Sequence, residues 1–350
     1  GGLILRRALE LYLKRVEQVL PTGKDFMVSR LAAARLALIT CPEQIAPLLA
    51  LEFEGRTCAA VASALSGQLV SSNGAWTQRY TSERLFELLS GCETGRRLHE
   101  TISQQADLLR AHFFSLIETS STVHIVDTGV FGSIGHFLRL GVPSTAIRSV
   151  LLFRANYKKE ARIHLPTATG LVCNEDEYCP WKPRSVSRLY WPFIESFFEP
   201  ELPSVRTYKH EAPGRVLSNL QVPGWLDRLS PDHGSIRGGA FEYLATLSPA
   251  SVPKIPEHSI DAWRRLRRLI VYPRKDDIAV LGISPRGVDF GFDEFVSFGE
   301  TTVSTTPLAM IRKVHASLWP EGEVRKILPR TAGFWLHVME ANRTLAAIAR

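Results

Sequence analysis

The chain has 350 residues, of which 45% are apolar and 22% charged. That composition excludes a disordered chain and supports a sizeable core in one or two domains. The formal net charge of +7 suits an anionic ligand, a nucleic acid or an anionic membrane surface, with a merely basic solvated surface as the plainer reading.

Leu5, Leu9, Leu13, Val16 and Val19 recur at helical spacing, so residues 3–19 are predicted to be a helix that Pro21 stops. This start is amphipathic and carries no signal-peptide cleavage pattern. "KDFMVSR" reads as a short strand ending in Ser29 and Arg30, and "LAAARLALI" continues as helix. "CPEQIAPLLALEF", "RTCAAVASALSG" and "SERLFELLSG" read as helices, the second stopped at Gly67. A long helix from Gly95 to Glu118 leads into "TVHIVD", a strand rich in β-branched residues. "SVLLF" (149–153) is a second strand, and "GSIGHFLRLGVPSTA" between them has helix length. Strand, helix and strand in about 30 residues make a βαβ unit with a parallel pair. "TGLVC" extends the sheet, and "RLYWPFIESFFEP" is helical with Tyr190, Trp191 and Phe193 mainly in the core. Residues 200–256 are rich in Pro, Gly and Ser and read as a loop-rich connection. An amphipathic basic helix, "SIDAWRRLRRLIVYP", and a helical C-terminus follow.

No apolar run approaches about 18 residues, so no transmembrane helix is expected. The five cysteines, Cys41, Cys58, Cys92, Cys173 and Cys179, form no CxxC pair, and an odd total does not fit a disulfide framework. Reduced thiols in a cytoplasmic protein are the expectation.

The stretch "VHIVDTGVFGSIGHFL" (123–138) carries the chemistry. In an open parallel sheet, ligands bind at the carboxyl ends of the strands, where Asp127 lies. Gly129, Gly132 and Gly135 are expected to take positive φ and let a ligand approach the backbone, and Ser133 adds a hydroxyl at the start of the next helix. Unpaired N–H groups there, with the helix dipole, favour a phosphate. Asp127 would accept hydrogen bonds from sugar hydroxyls or hold a magnesium shell. The order G-x-x-G-x-x-G is neither the dinucleotide fingerprint nor a P-loop, which needs G-K-[ST]. A tight βα turn with glycines for geometry alone is the competing reading.

"VHIVDTGVFGSIG" resembles the type I phosphoribosyltransferase loop, in which an acid binds the ribose hydroxyls of phosphoribosyl pyrophosphate and a Thr/Gly/Ser turn cradles its 5-phosphate. Thr128 stands where the usual loop has a second acid. Over nearly the whole chain, "FMVSRLAAAR" (26–35), "VDTGVFGSI" (126–134), "IESFFEPELPSVRTY" (194–208) and "LWPEG" (318–322) resemble, in that order, a family of bacterial polysaccharide (capsule or O-antigen) phosphoribosyltransferases. Members are often fused to or paired with a HAD-type phosphatase. The resemblance implies transfer of phosphoribose to a glycan hydroxyl and removal of the 5-phosphate by a separate phosphatase, since no HAD aspartate motif is visible here. It also makes Arg30 the clamp on the pyrophosphate.

Other candidates surround this loop. Arg35 offers a second planar fork for the pyrophosphate, although a surface helix arginine is an equally simple role for it and for Arg30. Arg154 and Lys158 follow the second strand and can meet an anionic donor. Glu195, in an apolar segment, is a candidate base or a structural partner for an arginine. Residues 263–275 form the densest basic stretch, suited to an anionic membrane presenting a lipid-linked glycan, with no nucleic-acid module beside it.

The expected fold is α/β, with a type I phosphoribosyltransferase-like parallel sheet flanked by helices and helical additions at both ends. Residues 1–210 would form that domain and 211–350 a mostly helical extension. Asp127, Arg30 and Glu195 are the catalytic candidates. Ser29, Arg35, Thr128, Gly129, Gly132, Ser133, Ile134, Gly135, Arg154 and Lys158 would bind substrate. Asp127 would hold Mg²⁺. A cytoplasmic protein is expected, with peripheral contact at the inner face of the membrane as the sharper reading of the basic stretch and a merely solvated face as the plainer one. The alternatives are a nucleobase phosphoribosyltransferase and a non-catalytic phosphoribosyl-binding module.

Overall fold

The computed structural model describes residues 2–118, 120–155, 165–177, 179, 181–199, 202–229, 234–281, 286–287, 295–296, 306–317 and 319–348. The N-terminal half is helical: α1 (Gly2–Arg15), α2 (Arg30–Thr40), α3 (Pro42–Glu52), α4 (Cys58–Ser66), α5 (Ser82–Gly91) and α6 (Glu93–Ile117). A mixed α/β segment follows, with β1 (Thr122–Asp127), α7 (Ser133–Gly141), β2 (Ala146–Arg154) and β3 (Ala168–Asn174). The three strands form one parallel sheet in the order β1-β2-β3, with Asp127 opposite Leu151 and Leu151 opposite Gly170.

Helix α2 is the centre of the first core. Every residue from Leu31 to Leu38 is buried, seven of them apolar and the eighth Arg35, so the helix is enclosed on all sides. Its alanines let neighbours come close, and α7 packs along it with Gly141 against Leu36, where a β-carbon would lie 2.4 Å from Leu36 Cγ. α7 and α2 thus cover one face of the sheet, where Val123, Ile125 and Ile147 join the first core. Parallel sheets are ordinarily covered on both faces. Here, among the described residues, the opposite face is only partly covered: Val126 and Leu171 are 49% and 60% exposed, whereas Leu152 is buried.

Beyond the sheet come α8 (Val186–Leu189), α9 (Trp191–Ser196), the antiparallel hairpin β4–β5 (Tyr208–Ala212, Arg215–Ser218) and α10 (Ile236–Ala245). The chain continues through α11 (Ile255–Val271), α12 (Lys275–Val280), α13 (Pro307–Ala316), α14 (Pro320–Ile327) and α15 (Ala332–Ile348). A second core gathers Leu152, Phe153, Tyr190, Phe193, Ile270 and Trp319. The Trp319 indole N–H donates to the Ile270 carbonyl at 2.8 Å.

Several sequence expectations need correction. Pro21 does not end α1: Glu17 takes a left-handed φ of 58° and the Gln18 N–H reaches back to the Leu13 carbonyl at 2.9 Å, which closes the helix at Arg15. "KDFMVSR" is not a strand, because among the described residues it pairs with no sheet; it runs into Ser29, the N-cap of α2, and Arg30 begins that helix. "RLYWPFIESFFEP" breaks into two short helices at Tyr190. Residues 200–256 hold more order than a loop-rich connection, namely the hairpin, α10 and the start of α11. The hairpin turns at Pro213-Gly214, with Gly214 at φ 79°, and straddles residue 210; Tyr208 and Val216 both belong to the first core. α3 to α7, β1 to β3 and the parallel pairing lie where the sequence places them.

Candidate functional site

The glycine turn is built from buried anchors around an accessible acid. Thr128, Val130 and Phe131 are 2%, 3% and 5% exposed, so the turn is nailed to the interior by its side chains. The Val130 carbonyl accepts from the Ala155 N–H at 3.1 Å, which ties the turn to the end of β2. The Asp127 carboxylate ends β1 half-buried, and no hydrogen bond or ion pair holds it among the described residues.

The three glycines do three different things, and only one has the expected positive φ. Gly132, at φ 73°, is the N-cap of α7, and among the described residues no side chain caps that helix. The first amides of α7, beginning with Ser133 and Ile134, therefore lack a side-chain acceptor. Gly129 is needed for space, because a β-carbon there would lie 2.7 Å from Asp127 Oδ2. Gly135 lies inside α7 against β2, where a β-carbon would lie 2.0 Å from Ser149 Oγ. Its role is close helix–sheet packing. Ser133 is 8% exposed, and Ile134 packs on the first core.

Two expected donor ligands are scaffold groups instead. The Ser29 hydroxyl caps α2 by accepting from the Ala32 N–H at 3.1 Å and donates to the Val205 carbonyl at 2.7 Å. Arg35 is 1% exposed, and its guanidinium donates to the carbonyls of Leu65, Ala64 and Arg206. Burial pushes its pKa down to about 10. With its donors committed to the backbone, Arg35 has no fork to offer a pyrophosphate. Arg30 is the first residue of α2 rather than a strand end, and its guanidinium lies 3.6 Å from Glu52. Arg154, at the end of β2, pairs with Asp176 at 2.8 Å and donates to the Ala168 carbonyl at 3.3 Å. Asp176 is 74% exposed, so this pair is weak enough to exchange for another anion. Glu195 lies half-buried on α9. Lys158 lies outside the described residues.

The four stretches singled out in the sequence come together at two junctions. "FMVSR" meets "SVRTY": besides Ser29 to Val205 and Arg35 to Arg206, the Tyr208 hydroxyl donates to the Met27 carbonyl at 2.8 Å. The glycine turn meets the start of "IESFF" and "LWPEG" through the second core, which holds Val130 with Ile194 and Trp319, and with Tyr190 and Phe193 just upstream. The Phe193 and Trp319 rings lie 5.3 Å apart.

That second junction holds a charged network the sequence did not reveal. Glu321 is 0% exposed, accepts from the Tyr190 hydroxyl and pairs with Arg343, whose guanidinium lies 5.4 Å from the Tyr190 ring centroid. Arg267 pairs with Glu340 beside it. Burial pushes the Glu321 carboxyl up. Tyr190 and Glu321 are 131 residues apart, and the one cue was a carboxylate inside the apolar "LWPEG".

Among the described residues, no three His, Cys, Asp or Glu side chains converge as metal ligands, and no helix is long and apolar enough to cross a membrane. All five cysteines are free thiols. Comparison with family models, with curated proteins and with solved structures finds no match for this chain.

Proposed function

We propose that this chain is a glycosyltransferase that moves 5-phosphoribose from phosphoribosyl pyrophosphate to a glycan hydroxyl, on a type I phosphoribosyltransferase-like sheet. The observation that carries this reading is the unpartnered Asp127 carboxylate at the carboxyl end of β1, beside the uncapped N-terminus of α7. An acid for hydroxyl groups and a helix start for a phosphate are the two halves of a phosphosugar site.

In this reading Asp127 accepts hydrogen bonds from the ribose hydroxyls, and the first amides of α7 hold the 5-phosphate with help from the helix dipole. Arg154 exchanges its surface pair for the donor, and Arg30 approaches the pyrophosphate. The acceptor oxygen bonds to C1 as the C1–pyrophosphate bond breaks, and Glu195 takes the acceptor proton. α9 supports this placement, because Phe193 and Ile194 share a core with Val130 of the turn. One carboxylate with Thr128 beside it fits a magnesium ion that arrives on the donor, since such ions take one or two carboxylates plus phosphate oxygens. When bound, the ion supplies charge neutralisation on the leaving group. A separate HAD-type phosphatase would then remove the 5-phosphate, leaving ribofuranose in a bacterial surface polysaccharide.

The test is pyrophosphate release from phosphoribosyl pyrophosphate with Mg²⁺ and glycan acceptors, comparing the parent chain with Asp127→Asn. The parent is expected to release pyrophosphate and the variant, equally folded, to lose most of that activity. Equal rates would remove Asp127 from the site. A parent that binds the donor but releases nothing with any glycan or nucleobase is a binding module.

A further inference from the structure

Helices α13 to α15 bury little and expose much. Their own core cluster holds Val324, Ala332 and Leu336. Facing solvent are Leu308 at 59%, Ile311 at 57%, Phe334 at 65%, Trp335 at 44%, Val338 at 43% and Leu345 at 66%. Scattered surface apolar residues need no explanation, but a concentration of this size on so small a unit marks a binding surface.

The arrangement on α15 is specific. Ala332 and Leu336 are buried, and Glu340 and Arg343 continue that inward face into the ion pairs with Arg267 and Glu321. Phe334, Val338 and Leu345 follow a second stripe of helical period away from it, with Trp335 alongside. Glu340 and Arg343 are the only Asp, Glu, Lys or Arg in α15, so its outward face carries no charge.

The exposed charges of this stretch of chain have one sign. Between residues 306 and 346 the acids are Glu321, Glu323 and Glu340. Glu321 and Glu323 are 0% and 2% exposed, and the Glu340 side chain 16%; they pair with Arg343, Lys313 and Arg267. The exposed charges among the described residues of this span are Arg312, Lys326 and Arg330, all basic. An aromatic face without Asp, Glu, Lys or Arg, flanked along this stretch by exposed positive charge and no exposed acid, is complementary to an anionic lipid surface. A second copy would set like charges against each other, which opposes self-association here.

We propose that α15 docks this protein on an anionic phospholipid bilayer. Phe334 and Trp335 enter the headgroup region, and Lys326 and Arg330, which lead into the helix, lie on lipid phosphates. The inference is independent of the transferase reading. It moves the membrane contact away from residues 263–275, where Arg264, Arg267 and Arg268 pair with Asp261, Glu340 and Asp277.

The experiment is co-sedimentation of the full chain with vesicles of phosphatidylcholine alone or mixed with phosphatidylglycerol. Binding is expected on the mixed vesicles, weakening as salt rises, with little on phosphatidylcholine alone. Phe334→Ser with Trp335→Ser should lower partition at least about tenfold. Lys326→Glu with Arg330→Glu should lower it about tenfold on anionic vesicles. All four positions are exposed, so the variants should keep the parent's circular dichroism and urea midpoint. A parent that binds neither vesicle, or folded variants that bind as well as the parent, would overturn the proposal. So would a concentration-dependent dimer that Phe334→Ser with Trp335→Ser dissociates, which would make the face an interface between copies.

Discussion

The α-carbon of Gly129 faces the carboxylate of Asp127, so closely that a β-carbon at residue 129 would lie 2.7 Å from Oδ2. Gly129 has no left-handed φ to protect, so alanine is tolerated by the backbone and acts through that one contact. Gly129→Ala is expected to keep the fold and push the carboxylate aside. Misplacing a binding group by about 1 Å can cost about a hundredfold, so donor affinity by calorimetry should fall about tenfold or more. Unchanged affinity would place the donor away from Asp127.

Gly135 gives a prediction about stability instead. Alanine is ordinarily favoured over glycine inside a helix by about 1 kcal/mol. At Gly135 the new methyl meets Ser149 Oγ at 2.0 Å, so Gly135→Ala should destabilise by about 1–3 kcal/mol. Removing that hydroxyl leaves Ser149 Cβ at 3.4 Å, close to ordinary contact. Gly135→Ala with Ser149→Ala should therefore recover most of the loss in urea denaturation, and a purely additive pair would contradict the packing role.

Arg35 separates a scaffold role from a ligand role. Arg35→Met leaves the carbonyls of Leu65, Ala64 and Arg206 without their donor in a buried site. Each unsatisfied buried acceptor costs about 1–3 kcal/mol, so a loss of about 3 kcal/mol or more is expected by urea denaturation. Donor affinity of the fraction that stays folded should match the parent. A selective loss of affinity with full stability would restore Arg35 to the site.

His112 sets a pH dependence. It is 3% exposed, its Nδ1 lies 2.9 Å from the Val216 carbonyl, and its Nε2 has no partner. The carbonyl can only accept, so Nδ1 carries the proton of that bond. Burial lowers its pKa below the ordinary value of about 6.5. Between the two values the unfolded chain binds more protons, so this contribution to stability is complete above about pH 6.5 and is lost as pH falls through the folded pKa. His112→Gln should flatten that part of the stability–pH curve, read as urea midpoints across the range. An unaltered slope would assign the dependence to another group.

The sequence by itself determined the local elements and the βαβ unit around Asp127. Period and caps are properties of neighbouring residues, and they suffice for α4 with its stop at Gly67, for α6, and for β1 and β2. The same information placed an acid at a strand end before a glycine turn. Whether an extended segment becomes a strand depends on a partner, which "KDFMVSR" lacks and which Tyr208–Ala212 finds across the Pro213-Gly214 turn. Only the tertiary structure decided what each glycine faces: the Leu151 side chain and the start of α7 at Gly132, a carboxylate at Gly129, the Ser149 hydroxyl at Gly135. It likewise buried Arg35 among carbonyls and brought Glu321 to Tyr190 across 131 residues. Burial and partnership are set by residues far along the chain, and a side chain's chemistry follows from them as much as from its own identity.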